Sequence, residues 1–259
     1  MLKMKQNIVK RNMIVLNNNF SIQKYNFPFD HYIIDNFFLE EVADKIGKDF
    51  PDTDDDGWFS YKNPLENKKT IQNWGKFPKN TYQTFQYFCS ESFISVIKEI
   101  TGIKTLYPDY GLHGGGWHMH GRGGNLNVHK DYSIHPKLGL QRKLNLIVYM
   151  SKGWNPEWGG GLELWSHDKE KNKPLRLEKT VECVYNRAVL FDTTQDSWHG
   201  LPKPLTCPQN MFRKSVAIYY LTDVDSDTEE RYRAFFAPTK EQENDESVLN
   251  LIKKRQLME

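Results

Sequence analysis

The chain has 259 residues, with 35 Lys plus Arg against 33 Asp plus Glu and a formal charge of +2, a balance that gives no long-range pull toward nucleic acid or anionic lipid. Hydrophobic residues make up 38% and aromatic residues 14%, which excludes wholesale disorder and supplies a core without staples. No apolar run reaches the roughly 18 residues of a membrane span, and three scattered cysteines, Cys89, Cys183 and Cys207, suit neither a disulfide framework nor a thiolate metal cage, so a reducing, cytoplasmic setting is expected.

Residues 1–26 are rich in Asn and Lys, with one short strand expected at 13–16, an apolar stretch too short for a signal peptide. A strand is predicted at 32–34. Asp35 and Asn36 then read as the cap of an amphipathic helix over 38–50, with Phe38, Val42, Ile46 and Phe50 on one face. The acidic run at 51–57 lacks the spacing of a twelve-residue calcium loop and reads as a solvated turn. A second helix is predicted over 81–101, stopped by Gly102. From 103 to 224 the pattern changes to short segments rich in β-branched and aromatic residues: 112–120, 144–151, 162–165, 180–185, 188–192 and 213–222. Such punctuation predicts a sandwich or barrel. The tail, 239–259, has acids early and bases late, the order that suits a helix dipole.

Three features stand in order inside the β region. His129-Lys130-Asp131 puts an imidazole and a carboxylate on one face of a strand. His199 follows 68 residues after Asp131, and Arg213 opens the last strand. Two imidazoles and one carboxylate on one side of a metal leave its other positions open, the arrangement of non-haem Fe(II) oxygenases. An Arg offers a planar fork for a distant carboxylate.

This ordered set resembles the 2-oxoglutarate/Fe(II)-dependent dioxygenase superfamily, and within it the prolyl-4-hydroxylase-like branch. Gly159-Gly160-Gly161-Leu162 resembles that family's Gly-Gly-x-Leu turn, 187–192 its strand leading to the distal histidine, and Arg213-Lys214-Ser215 its R-x-S; the likeness covers about residues 27–224. The resemblance implies one domain with a double-stranded β-helix (jelly-roll) core over 105–224, helical support over 1–104 and a C-terminal helix over 225–259. It implies Fe(II) on His129, Asp131 and His199, and 2-oxoglutarate on Arg213, Tyr149 and Ser215, with ascorbate as a further requirement. A position about ten residues before the H-x-D, where the family often has a Tyr, falls on Met119. The implied reaction consumes O₂, releases succinate and CO₂, and hydroxylates a C–H bond of a peptidyl, prolyl-type or small-molecule substrate. Asp131 favours hydroxylation, since halogenating relatives lack that carboxylate.

Other residues carry plainer expectations. His118 and His120 have cupin-like spacing but no glutamate follows, so they are read as strand residues facing the pocket or the core, within reach of substrate. Trp198 reads as a packing residue beside His199, Cys89 as core and Cys207 as accessible. Residues 200–212 read as a loop inserted at the mouth of the site. Two rivals from other classes are a zinc hydrolase on the same three ligands, which gives Arg213 no task, and an inactive jelly-roll binding module, which gives the triad none.

Overall fold

The computed structural model describes residues 16–17, 20–193 and 196–257; the strand expected at 13–16 lies outside them except for Leu16, which bridges to Phe38. Strands β1 (Ser21–Tyr25) and β2 (His31–Asp35) lead into helix α1 (Glu40–Asp49). The hairpin β3 (Phe59–Asn63) and β4 (Glu66–Ile71) precedes helices α2 (Lys79–Phe88) and α3 (Glu91–Thr101). Then come β5 (Tyr107–Pro108), β6 (Gly116–His120), β7 (Asn125–Lys130), β8 (Gln141–Tyr149), β9 (Leu162–Asp168), β10 (Lys173–Val181), β11 (Ala188–Asp192), β12 (Trp198–Leu201), β13 (Arg213–Thr222) and β14 (Phe235–Phe236), and last helix α4 (Glu246–Leu257).

All fourteen strands of the described residues join one curled antiparallel sheet, a jelly roll, with the main path β1-β2-β11-β8-β13-β6-β4-β7-β12-β9-β10. The N-terminal part is therefore more than helical support. Strand β4 lies between β6 and β7, pairing the first through Lys69–Ile71 and the second through Glu66–Asn67. That closes the sheet over one end of the barrel.

Strand periodicity decides what each face does. Trp117 and Met119 on β6, Leu144, Leu146 and Val148 on β8, and Val216, Ile218 and Tyr220 on β13 share one apolar core. The helices bring Ala43, Ile46, Phe85, Phe88, Phe93 and Ile97 to it. The intervening residues of the same strands point into the barrel, where a second core cluster of Leu162, Leu164, Val189 and Phe191 fills one end.

Helix boundaries depart from the sequence reading where backbone chemistry intervenes. Helix α1 starts two residues later than expected, after Leu39, and has no side-chain cap. Asp35 is instead engaged by Arg187 at 2.5 Å, and Asn36 takes a left-handed conformation. The helix expected over 81–101 is two helices: the chain breaks at Cys89–Ser90, where the Ser90 hydroxyl accepts the Phe93 amide at 3.3 Å and starts α3. The tail helix begins at Glu246, where Asp245 accepts the amides of Ser247 and Val248. Cys207 is buried, against its expected exposure, with its thiol on the Met211 carbonyl at 3.3 Å.

Candidate active site

His129 sits near the end of β7 and His199 near the start of β12, directly opposite each other in the antiparallel ladder. Gly200 makes this approach possible: a Cβ there would lie 2.9 Å from the backbone of Leu126, Asn127 and Val128. Asp131 follows β7 by one residue, so it falls on the face of His129. The sequence-predicted triad thus converges, with one ligand atom from each residue within 4.8 Å of the others, and all three residues buried.

Backbone carbonyls fix the orientation of both rings. His129 turns Nδ1 to the Asn127 carbonyl at 2.9 Å, and His199 turns Nδ1 to the Ser197 carbonyl at 2.8 Å. Each Nδ1 then carries the proton and each Nε2 a bare lone pair, the arrangement a metal ligand needs. The Nε2 atoms stand 3.6 and 3.8 Å from the two carboxylate oxygens of Asp131. These separations are too long for hydrogen bonds and suit donors arranged around one ion. Burial, with His129 close by, holds His199 down to about 4, so the ring is neutral at ordinary pH. Phe191 meets the His199 ring edge-on at 4.7 Å, and Phe236 stacks on His129 at 5.1 Å.

Asp131 has its own supports, which the sequence did not reveal. Burial alone would raise its pKa, but the permanent charge of the neighbouring Arg142 opposes this and keeps the carboxyl ionised. Tyr219 donates its hydroxyl to Oδ2 at 3.0 Å. Arg142 lies 3.8 Å from Oδ1, with its guanidinium between the rings of Tyr132 and Tyr219 and bonded to the His113 carbonyl and the Tyr132 hydroxyl. One signal for Tyr219 was present: it shares strand parity with Arg213 and Ser215. Nothing in the sequence pointed to Arg142.

The triad opens on a cavity of about 450 Å³ that also holds Arg213 and Ser215. Arg213 is buried and commits its Nε to the Gly160 carbonyl at 2.6 Å. Gly160 must be a glycine here, since its φ is +83° and a Cβ would meet the Arg213 side chain at 2.9 Å. Tyr149 is fully buried beneath the guanidinium, its ring centre 4.9 Å away. Ser215 lies between Tyr149 on β8 and His118 on β6. Met119, ten residues before His129, faces the apolar core; its neighbour His120 faces the cavity, opposite Arg213.

The loop at 202–212 contributes no cavity-lining residue. It is pinned instead to the 121–124 turn, through Gly123–Leu205 and Leu205–Gly124 backbone bonds. Another wall of the cavity is built by residues the sequence reading passed over: Tyr61, Glu66 and Lys68 of the β3–β4 hairpin, Phe236 beside His129, and Arg255 of α4. Glu66 pairs with Lys68 at 3.2 Å and with Arg255 at 2.6 Å. Trp198 is buried beside the triad with its indole on His167, a packing residue as expected.

Two bare imidazole nitrogens and a carboxylate, with an arginine elsewhere on the same cavity wall, fit the donor set of a non-haem Fe(II) centre with a carboxylic-acid cosubstrate. Comparison with known proteins agrees. No curated protein matches the chain. Residues 115–221 match the family model of the 2OG-Fe(II) oxygenase superfamily. A prolyl-4-hydroxylase from Pseudomonas putida shares the fold with a TM-score of 0.53 and 14% identity, over 75% of this chain and 93% of that one. A prolyl hydroxylase from Trichoplax adhaerens, solved with a hypoxia inducible factor oxygen degradation domain peptide fragment, gives a TM-score of 0.51 and 17% identity, over 74% of this chain and 83% of that one. The matched segment contains His129, Asp131, His199 and Arg213, so over residues 115–221 the chain is similar to the 2OG-Fe(II) oxygenase superfamily, a match that supports a 2-oxoglutarate-dependent oxygenase.

Proposed function

We propose that the enzyme hydroxylates a C–H bond of a peptidyl, prolyl-type or small-molecule substrate, converting 2-oxoglutarate and O₂ to succinate and CO₂. The observation that carries this reading is the single cavity shared by the His129–Asp131–His199 cluster and Arg213. In this reading the three residues hold Fe(II), and Arg213 pairs with the far carboxylate of the cosubstrate, supported by Tyr149 and Ser215. Bound iron supplies the O₂ activation. The chain's own residues supply the rest. The Asn127 and Ser197 carbonyls keep both Nε2 atoms bare. Tyr219 and Arg142 orient Asp131. Phe191 and Phe236 wall the rings from bulk water.

A peptide substrate draws support from the peptide-bound fold relative. The cavity wall formed by the β3–β4 hairpin and α4 adds a charge preference, since Lys68, Arg233 and Arg255 line the cavity there with one carboxylate, Glu66. That balance suits a substrate with a carboxylate or phosphate near the oxidised carbon. A zinc hydrolase would leave Arg213 without a task, and a binding module would leave the triad without one.

The test is anaerobic titration with Fe(II) and 2-oxoglutarate, followed by succinate release in air. Wild type develops a metal-to-ligand charge-transfer band and releases succinate. His129→Ala loses the band, and its turnover falls by about 100-fold or more. Equal behaviour of the two proteins overturns the assignment.

A further inference from the structure

Besides His113, two imidazoles outside the triad line the same cavity from β6. His118 and His120 alternate with the core-facing Trp117 and Met119 on β6, so both point inward. His120 stands opposite Arg213, and His118 opposite Ser215. Further along β13, Tyr219 bonds Asp131. A ligand reaching from the triad to Arg213 therefore passes Ser215 and ends beside His120.

The two rings differ in what they offer. The Nε2 of His118 is enclosed and unpartnered, while its other nitrogen is taken by the backbone at Gly114 and Gly115. With that proton given to a carbonyl, the remaining nitrogen is an acceptor, which a carboxylate cannot use. His120 is buried and has no partner on either nitrogen. The Ser215 hydroxyl, on the same cavity wall one strand away and opposite His118, is also unpartnered. Enclosed polar atoms without partners carry a desolvation penalty that native interiors seldom tolerate. Burial, reinforced by Arg213 and Lys68, holds the His120 pKa well below 6.5, so the ring is neutral. It still donates one N–H, and it sets no second positive charge against Arg213.

We infer that His120 is a cosubstrate-binding residue: its N–H, with the Ser215 hydroxyl, bonds the carboxylate that Arg213 pairs with, so that hydrogen bonding as well as charge selects a 2-oxo dicarboxylic acid. The inference rests on the oxygenase reading and assigns a role within it.

The experiment measures anaerobic binding, by calorimetry, to the Mn(II)-loaded protein. The probes are 2-oxoglutarate and pyruvate, a 2-oxo acid without the far carboxylate. His120→Phe removes the donor and keeps a flat ring, and His120→Gln restores an N–H. We expect His120→Phe to weaken 2-oxoglutarate about tenfold or more, with Mn(II) and pyruvate unchanged, and His120→Gln to recover most of the loss. Equal 2-oxoglutarate affinity in wild type and His120→Phe overturns the inference. So does a parallel loss of pyruvate or Mn(II), which would mark a structural role. A wild type that binds Mn(II) but not 2-oxoglutarate overturns the oxygenase reading, and this inference with it.

Discussion

The two faces of β6, β8 and β13 are made by the same backbone and do opposite work. One face carries Trp117, Met119, Leu146, Val148, Val216 and Ile218 into the apolar core under the helices. The other carries His118, His120, Asn145, Arg213, Ser215 and Tyr219 into the cavity. Side-chain alternation sets both assignments at once, and a slip of one residue would exchange them. The helix-side core therefore specifies the geometry of the catalytic face. It follows that damage to the first face reads out as stability, and damage to the second as ligand binding.

The largest expected effect lies on the core face. Phe88 is fully buried against Phe37, Phe38, Phe85 and Phe93. Phe88→Ala is expected to cost about 3–5 kcal/mol, measured by urea denaturation. A loss under about 1 kcal/mol would mean that the helices are not what holds the strands in register.

Legibility followed the same division. Strands β11 and β13 were readable to the residue because β-branched and aromatic residues crowd them. The triad was readable because ligand type, order and spacing constrain one another. The β3–β4 hairpin was not: its sequence, FSYKNPLENKKTI, is mostly polar and lysine-rich, and the ladder with β6 and β7 makes it a strand pair. Arg142 and Lys68 were invisible for a related reason, since a lone cation in a strand reads as surface until the barrel closes around it. The 81–101 helix failed at Cys89–Ser90, where a capping serine looked like one more helical residue.

A pH effect of intermediate size puts a limit on that division, because it gives one cavity-face residue a stability share. Burial holds His118 down to about 3, against an ordinary 6.5, with Lys68 and Arg213 adding to the shift. A folded-state pKa below the unfolded one gives stability that is present above pH 6.5 and lost as pH falls toward 3. At pH 5.5, one unit below 6.5, the loss from this one group is about 1.4 kcal/mol. The metal-free protein should therefore weaken between pH 7 and pH 5.5. His118→Leu should flatten that decline by about this amount, read from urea midpoints at the two pH values. An unchanged slope would place the histidine's proton uptake elsewhere.

The smallest effect tests how little of the fold's stability the ligand-supporting Tyr219 carries. Burial, then the Asp131 charge, pushes the Tyr219 hydroxyl well above 10, so it stays protonated and can only be the donor in its 3.0 Å bond to Asp131. Tyr219→Phe removes that donor and nothing of the ring, so Arg142 keeps its aromatic seat. The carboxylate then loses one of the contacts that fix its direction, while its charge remains compensated by Arg142. Mn(II) affinity should fall about tenfold, and unfolding free energy should change by about 1 kcal/mol or less. The reverse pattern, intact metal binding with a large stability loss, would mean that Tyr219 belongs to the core and that the two faces are not energetically separate.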